Sequence, residues 1–285
     1  MALVWLRQQG EDRYEVRRAG NSLRLYTNGV FHSQYNSAEP VTGSVWDLLL
    51  LPAFALRSGR PSRVLVLGVG GGAVVCQLNR FLSPDLIVGV ELNSVHLQVA
   101  REVFGALASN VCLLEADARE WLAHYRGPGF DLVIDDLFGH VGGETERAIA
   151  ADASWCSALW SVVAPGGALV MNFESEAQLR ASALCRDRVI RRHWAEAQRF
   201  STPHYANAIG AFFRQAPEWE RFETRLQVHP ELDQRRAQCR LRYSRGLCVS
   251  HQGLCDPTVK GGLGRRLPQV PSRALHHTRN ALLET

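Results

Sequence analysis

Lysine is nearly missing from this chain. Lys260 is the only one in 285 residues, so the positive side of a net charge of +4 is almost all arginine. The arginines gather at Arg186, Arg188, Arg191 and Arg192, and again at Arg235, Arg236, Arg240, Arg242 and Arg245, on stretches that read as helical. A nucleic-acid surface wants aromatic side chains interleaved with such a stripe, and few are there, so these are read as solvated helix faces with no nucleic-acid partner. Long apolar runs are lacking too: nothing approaches the ~20 residues needed to span a bilayer. Met1 to Leu6 is too short for the apolar core of a leader peptide, so a cytoplasmic protein without a membrane partner is expected. Paired metal-ligand cysteines are also missing. Cys76, Cys112, Cys156 and Cys185 lie in apolar stretches that suit reduced, buried thiols, and Cys239, Cys248, His251 and Cys255 match no paired zinc spacing, so no metal is expected. With 46% hydrophobic residues the chain can bury a core without disulfides.

Glycine, by contrast, is concentrated where it matters. Val64 to Leu67 is an unbroken apolar run, suited to a parallel strand buried on both faces, and it runs into Gly68, Gly70, Gly71 and Gly72. Ala73 to Phe81 then reads as a helix with Val74, Val75, Leu78 and Phe81 on its apolar side. A glycine turn delivering the chain to a helix N-terminus lets a ligand approach the backbone. A second strand, Leu86 to Val90, ends at Glu91, where this type of unit places an acid that bonds a ribose hydroxyl pair. Gly68, Gly70 and Ala73 satisfy the dinucleotide pattern, and Gly68, Gly70 and Gly72 the tighter one of S-adenosylmethionine (SAM) enzymes.

The remaining pattern separates the two. Tyr14 to Tyr35 alternates with period two around turns at Gly20-Asn21-Ser22 and Asn28-Gly29, which predicts a small antiparallel meander lying as a cover on the main domain. Ser44 to Leu56 has helical spacing, as do Ser94 to Phe104, Arg119 to Tyr125 and Ala151 to Val163; single helices are expected over Glu176 to Glu196 and Glu218 to Arg245. Val111 to Glu115 reads as a strand leading to Asp117 and Ala118, and Phe130 to Asp136 as one ending in Asp135 and Asp136, so three strands in succession finish in carboxylates at the ligand-binding side. Ala168 to Phe173 is a fifth strand. Ala197 to Ser201 and Ala208 to Phe213 are joined by too few residues for a helical crossover and must pair antiparallel. The expected fold is α/β and Rossmann-like, with five parallel strands, a terminal antiparallel hairpin and helices on both faces. The expected divisions are 1–43 for the meander, 44–245 for the binding domain and 246–285 for a disordered tail.

From about Leu25 to Arg214 the chain resembles the spermidine synthase-like branch of the SAM methyltransferase superfamily. The resemblance is carried by Asn28-Gly29, Val64 to Gly72, Val90 to Asn93, Asp117-Ala118, Phe130 to Asp135 and Pro165 to Gly167. It implies that Glu91 binds the donor's ribose, Asp117 its adenine amino group and Gly68 to Gly72 its amino-acid end, with Asp135 beside the reacting carbon. Spermidine synthases carry an aspartate in the glycine turn, where this chain has Gly71, and another three residues after the match to Asp135, where it has Phe138. His32 stands where they carry a glutamine, and their diamine-pocket tyrosine is replaced near Val45. These departures point away from a polyamine acceptor.

Three functions remain open on the sequence. The first is SAM-dependent methyl transfer to a small-molecule acceptor, with Asp135 or Asp136 orienting or deprotonating it and His32 in contact with it. The second is aminopropyl transfer from decarboxylated SAM, and the third a nucleoside-binding scaffold without turnover. The exposed edge of the meander offers a homodimer contact.

Overall fold

The computed structural model describes residues 1–141 and 144–248. The chain opens with four antiparallel strands, β1 (Ala2–Gln9), β2 (Asp12–Ala19), β3 (Ser22–Thr27) and β4 (Val30–Tyr35), paired in that order. The meander therefore starts a strand earlier than the alternation indicates. β1 is exposed along nearly its whole length, so it carries no two-fold burial pattern to read. Val16 and Leu25 are fully buried from the meander's inner face against Val99 and Phe104 of the main domain. At about 1.5 to 3 kcal/mol for each large apolar side chain buried, this small cluster is enough to hold the cover in place.

After two 3₁₀ turns, Val45–Leu48 and Leu51–Ala55, the main sheet begins. Its elements are β5 (Arg63–Leu67), α1 (Ala73–Leu82), β6 (Leu86–Glu91), α2 (Ser94–Glu102), β7 (Val111–Glu115), α3 (Ala118–His124) and β8 (Phe130–Asp135). A short hairpin, β9 (Phe138–Val141) and β10 (Glu144–Arg147), precedes α4 (Ala153–Ser161) and β11 (Val163–Phe173). The chain continues through α5 (Glu176–Ala181), α6 (Ala183–Arg186), β12 (Glu196–Ser201), β13 (Ala208–Phe213), α7 (Trp219–Gln227) and β14 (Ser244–Leu247).

The sheet runs β14-β12-β13-β11-β8-β5-β6-β7. β11, β8, β5, β6 and β7 are parallel neighbours, and β13 and β12 return antiparallel beside β11, as the apolar runs predict. β14 extends the edge antiparallel to β12, in a stretch the sequence marks as the end of a helix and the start of a tail. The two long helices expected near the C-terminus are shorter. The segment after Ser175 breaks at Ser182, whose extended backbone (ψ 157°) ends α5. The last helix stops at Gln227, ahead of Pro230, which cannot supply the N–H that helix continuation needs. From residue 249 onward the expected tail lies outside the described residues. Among the described residues no helix is long and apolar enough to cross a membrane.

The strand order reverses direction between β5 and β8, since the chain first builds β6 and β7 on one side and then returns to the other. In an open α/β sheet the ligand crevice lies beyond the strand ends at such a point. Here the backbone is packed tightly: a Cβ at Gly68, whose φ is +84°, would come within 2.3 Å of the Asp136 carbonyl oxygen. Only glycine allows the turn after β5 and the end of β8 to meet.

Candidate functional site

Beyond those strand ends lies a cavity of about 890 Å³, within the range of small-molecule sites. Among its lining residues are Gly68 and Gly70 from the turn, Glu91 and Leu92 at the end of β6, and Asp117, Ala118 and Arg119 at the start of α3. The lining also includes the aromatic side chains Phe31, Trp46, Phe138 and Tyr205 and the polar residues Asp136, Asn172, Glu174 and Asn207. His32, in β4, also lines the cavity and lies against the turn, its backbone oxygen 3.5 Å from where a Cβ at Gly70 would stand.

Glu91 is tied into the turn it faces. Its Oε2 accepts hydrogen bonds from the backbone N–H of Val69 (3.0 Å) and Gly70 (2.9 Å), and Oε1 accepts one from Asn93 N–H (2.9 Å). Asn93 in turn caps α2 through the amides of Val95 and His96, and its Nδ2 donates to the Tyr14 hydroxyl of the meander at 2.9 Å. Asp117 caps α3 in the same way, with Oδ1 accepting from Arg119 N–H (2.7 Å) and Glu120 N–H (3.3 Å). Both acids line the cavity, and both organise the backbone around it.

Gly70 lines the cavity but Gly71 and Gly72 do not. A Cβ at Gly71 would stand 2.7 Å from the Phe104 ring and 3.0 Å from Ser33 Cβ, and one at Gly72, with φ +84°, 2.7 Å from Ala106 Cβ. These two glycines let α1 pack against α2 and β4. No acidic side chain reaches the cavity from the turn.

The adjacent acids at the end of β8 separate cleanly. Asp135 is fully buried and does not line the cavity; its Oδ2 accepts from Arg147 Nη2 (2.9 Å) and Trp155 Nε1 (2.7 Å). Arg147, itself buried, also donates to the Asn172 carbonyl at 2.6 Å, so the ion pair anchors the β9–β10 hairpin to the sheet. Asp136, the next residue, lines the cavity and accepts from Asn172 Nδ2 at 2.7 Å. Desolvation, reinforced by the Asp135 charge and opposed by Asn172, Arg147 and Trp46, pushes its carboxyl from the ordinary 3.8 up to about 7.

Several lining residues carry no sequence signal of their own. His96 bonds Thr27 Oγ1 at 2.9 Å, its ring 4.9 Å from that of His32. Trp46, Asn172, Tyr205 and Asn207 come from elements that only the tertiary fold brings together. Asn172 was readable as unusual, a lone amide in the apolar run Ala168 to Phe173.

No protein-family model matches the chain. In sequence it is 28% identical over 100 residues to polyamine aminopropyltransferase 2 of Caldanaerobacter subterraneus subsp. tengcongensis, a match spanning 34% of this chain and only 33% of that relative. In structure it is similar to the spermidine synthase of Thermotoga maritima, with a TM-score of 0.59, 14% identity and 79% and 77% of the two chains covered. A probable spermidine synthase from Corynebacterium glutamicum gives a TM-score of 0.63 at 17% identity, covering 79% of this chain and 88% of that one. Structural matches at such identities establish a shared fold. The chain thus bears a distant structural and sequence relationship to the spermidine synthase and SAM-dependent transferase fold group.

Proposed function

We propose that this protein is a transferase for an S-adenosyl donor and an amine acceptor, and that the group it passes on is the aminopropyl chain of decarboxylated SAM. The observation that carries this reading is Asp136, a carboxylate lining the cavity, hydrogen-bonded to Asn172, with its pKa pushed up to about 7. A protonated amine has no lone pair and must lose a proton to attack carbon, and a base is most effective when its pKa lies near the working pH. Asp136 is suited to take that proton, a role for which Phe138 is useless.

The donor supplies a sulfonium whose adjacent carbon accepts the amine. In this reading Glu91 holds the ribose hydroxyls, Asp117 the adenine amino group through the oxygen not used for capping, and Gly68 and Gly70 leave room for close backbone approach. Phe31, Trp46, Phe138 and Tyr205 pack on the acceptor's methylenes and keep water from the reacting atoms, and Glu174 offers a second negative charge for a distant ammonium. The names of the relatives support the same transfer.

Methyl transfer from intact SAM is the second reading, favoured by one observation: the glycine turn from Gly68 to Gly72 carries no acidic side chain to meet the free amine of the decarboxylated donor. The two differ in by-product. With decarboxylated SAM and a panel of diamines and monoamines, mass spectrometry should detect 5′-methylthioadenosine and an acceptor heavier by one aminopropyl group. Release of S-adenosylhomocysteine from intact SAM, with no methylthioadenosine from the other donor, would transfer the assignment to the methyl reading.

A further inference from the structure

The amide of Asn172 is fixed by two partners. Its Nδ2 donates to Asp136 Oδ1 at 2.7 Å, and its Oδ1 accepts from Asn207 Nδ2 at 3.0 Å. An ionised carboxylate can only accept, so the Asn172 NH₂ must face Asp136, which leaves its oxygen for the Asn207 NH₂. With Asp136 ionised, the chain from Asn207 through Asn172 to Asp136 therefore has a single polarity. Asn172 is 3% exposed in β11, while Asn207 belongs to the loop joining β12 and β13, so the loop is tied to a buried strand by one amide–amide bond, and that strand's amide to the Asp136 carboxylate.

We propose that Asn172, oriented by Asn207, is a positioning residue that holds the Asp136 carboxylate as an acceptor facing the cavity. The proposal rests on the reading of Asp136 as the base of the transferase. The other groups around Asp136 are Asp135 on the same strand, Arg147 from β10 and the indole of Trp46. Glu174 and Tyr205 share the cavity wall. Arg147 bonds Asp135 and not Asp136; Trp46 also donates a hydrogen bond to Asp136, and Asn172, at 2.7 Å, is the stronger of its two donors. A donated hydrogen bond favours the charged form of a carboxyl; without it the ionised base forms only at higher pH.

The full-length protein, labelled with carbon-13 at aspartate carboxyls, gives a direct reading. The Asp136 signal is identified by its loss in Asp136→Asn. In Asn172→Ala its titration midpoint should rise by about 1 to 2 pH units, the size expected for one bond to a charged group. In Asn207→Ala, on the loop, it should rise by less. The low-pH limb of kcat/KM for aminopropyl transfer should move with it. An unchanged midpoint in folded Asn172→Ala overturns the proposal, and should that variant not fold, an unchanged midpoint in Asn207→Ala does so. If the midpoint moves but the unmodified protein transfers nothing to any amine, the positioning of Asp136 stands and the transferase reading falls.

Discussion

Replacing Glu91 with alanine removes three hydrogen bonds to a carboxylate whose side chain is only 11% exposed: those from the amides of Val69 and Gly70 in the glycine turn and from Asn93 beyond β6. Bonds to a charged group contribute about 1.5 to 3 kcal/mol each. The freed amides of Val69 and Gly70 border the cavity, where water can reach them, so the net loss is closer to that of one or two bonds, about 3 kcal/mol. In a domain of this size that lowers Tm by roughly 6 to 12 °C. Glutamine recovers only part of this. Both carboxylate oxygens already face N–H donors, so either orientation of the amide sets its NH₂ against another N–H. Donor affinity should fall at least tenfold in Glu91→Ala, since two ribose bonds are lost with the turn's support. Differential scanning calorimetry without ligand isolates the structural part. A Glu91→Ala protein melting within roughly 2 °C of the parent would show that the carboxylate does not hold the turn, and would leave it a ribose contact alone.

Gly71→Ala should destabilise the protein by about 1 to 3 kcal/mol, because the new methyl meets the Phe104 ring, and Phe104→Leu should recover part of the loss in a double-mutant cycle. Additive losses would mean that the ring is not the obstacle. Asp136 ionises in the folded chain at about 7 against an ordinary 3.8, so its contribution to stability is present at low pH and lost as pH rises towards 7. Asp136→Asn should therefore melt above the parent at pH 8, with the gap closing as pH falls to 4; a gap independent of pH contradicts the raised value. The same variant should lose transfer by roughly 10²-fold or more, the scale of general-base contributions.

The core of the fold was legible because it is written in long local signals. Val64 to Leu67, Ile87 to Val90 and Leu132 to Ile134 are apolar runs buried on both faces, and each stops at a glycine or an acid at one end of the sheet. What was not legible depends on partners far away in sequence. Alternation says that Asp135 and Asp136 point apart, yet only Arg147 and Trp155 show which one turns inward. Likewise the bonds from Glu91 to the turn span about twenty residues and arise only once β5 and β6 are paired. The β9–β10 hairpin lacks a hydrophobic period, since its fixed point is the Arg147 ion pair. The long helix expected after Ser175 was broken by an extended serine that propensity does not forbid.

The central claim, a site for the S-adenosyl group between the glycine turn, Glu91 and Asp117, is tested most directly by calorimetric titration with 5′-methylthioadenosine and S-adenosylhomocysteine. These are the nucleoside products of the two transfers, and neither requires an acceptor or turnover. Saturable one-to-one binding of at least one of them, weakened tenfold or more in both Glu91→Ala and Asp117→Ala, is the predicted result. A folded, unmodified protein that takes up neither nucleoside would contradict the account.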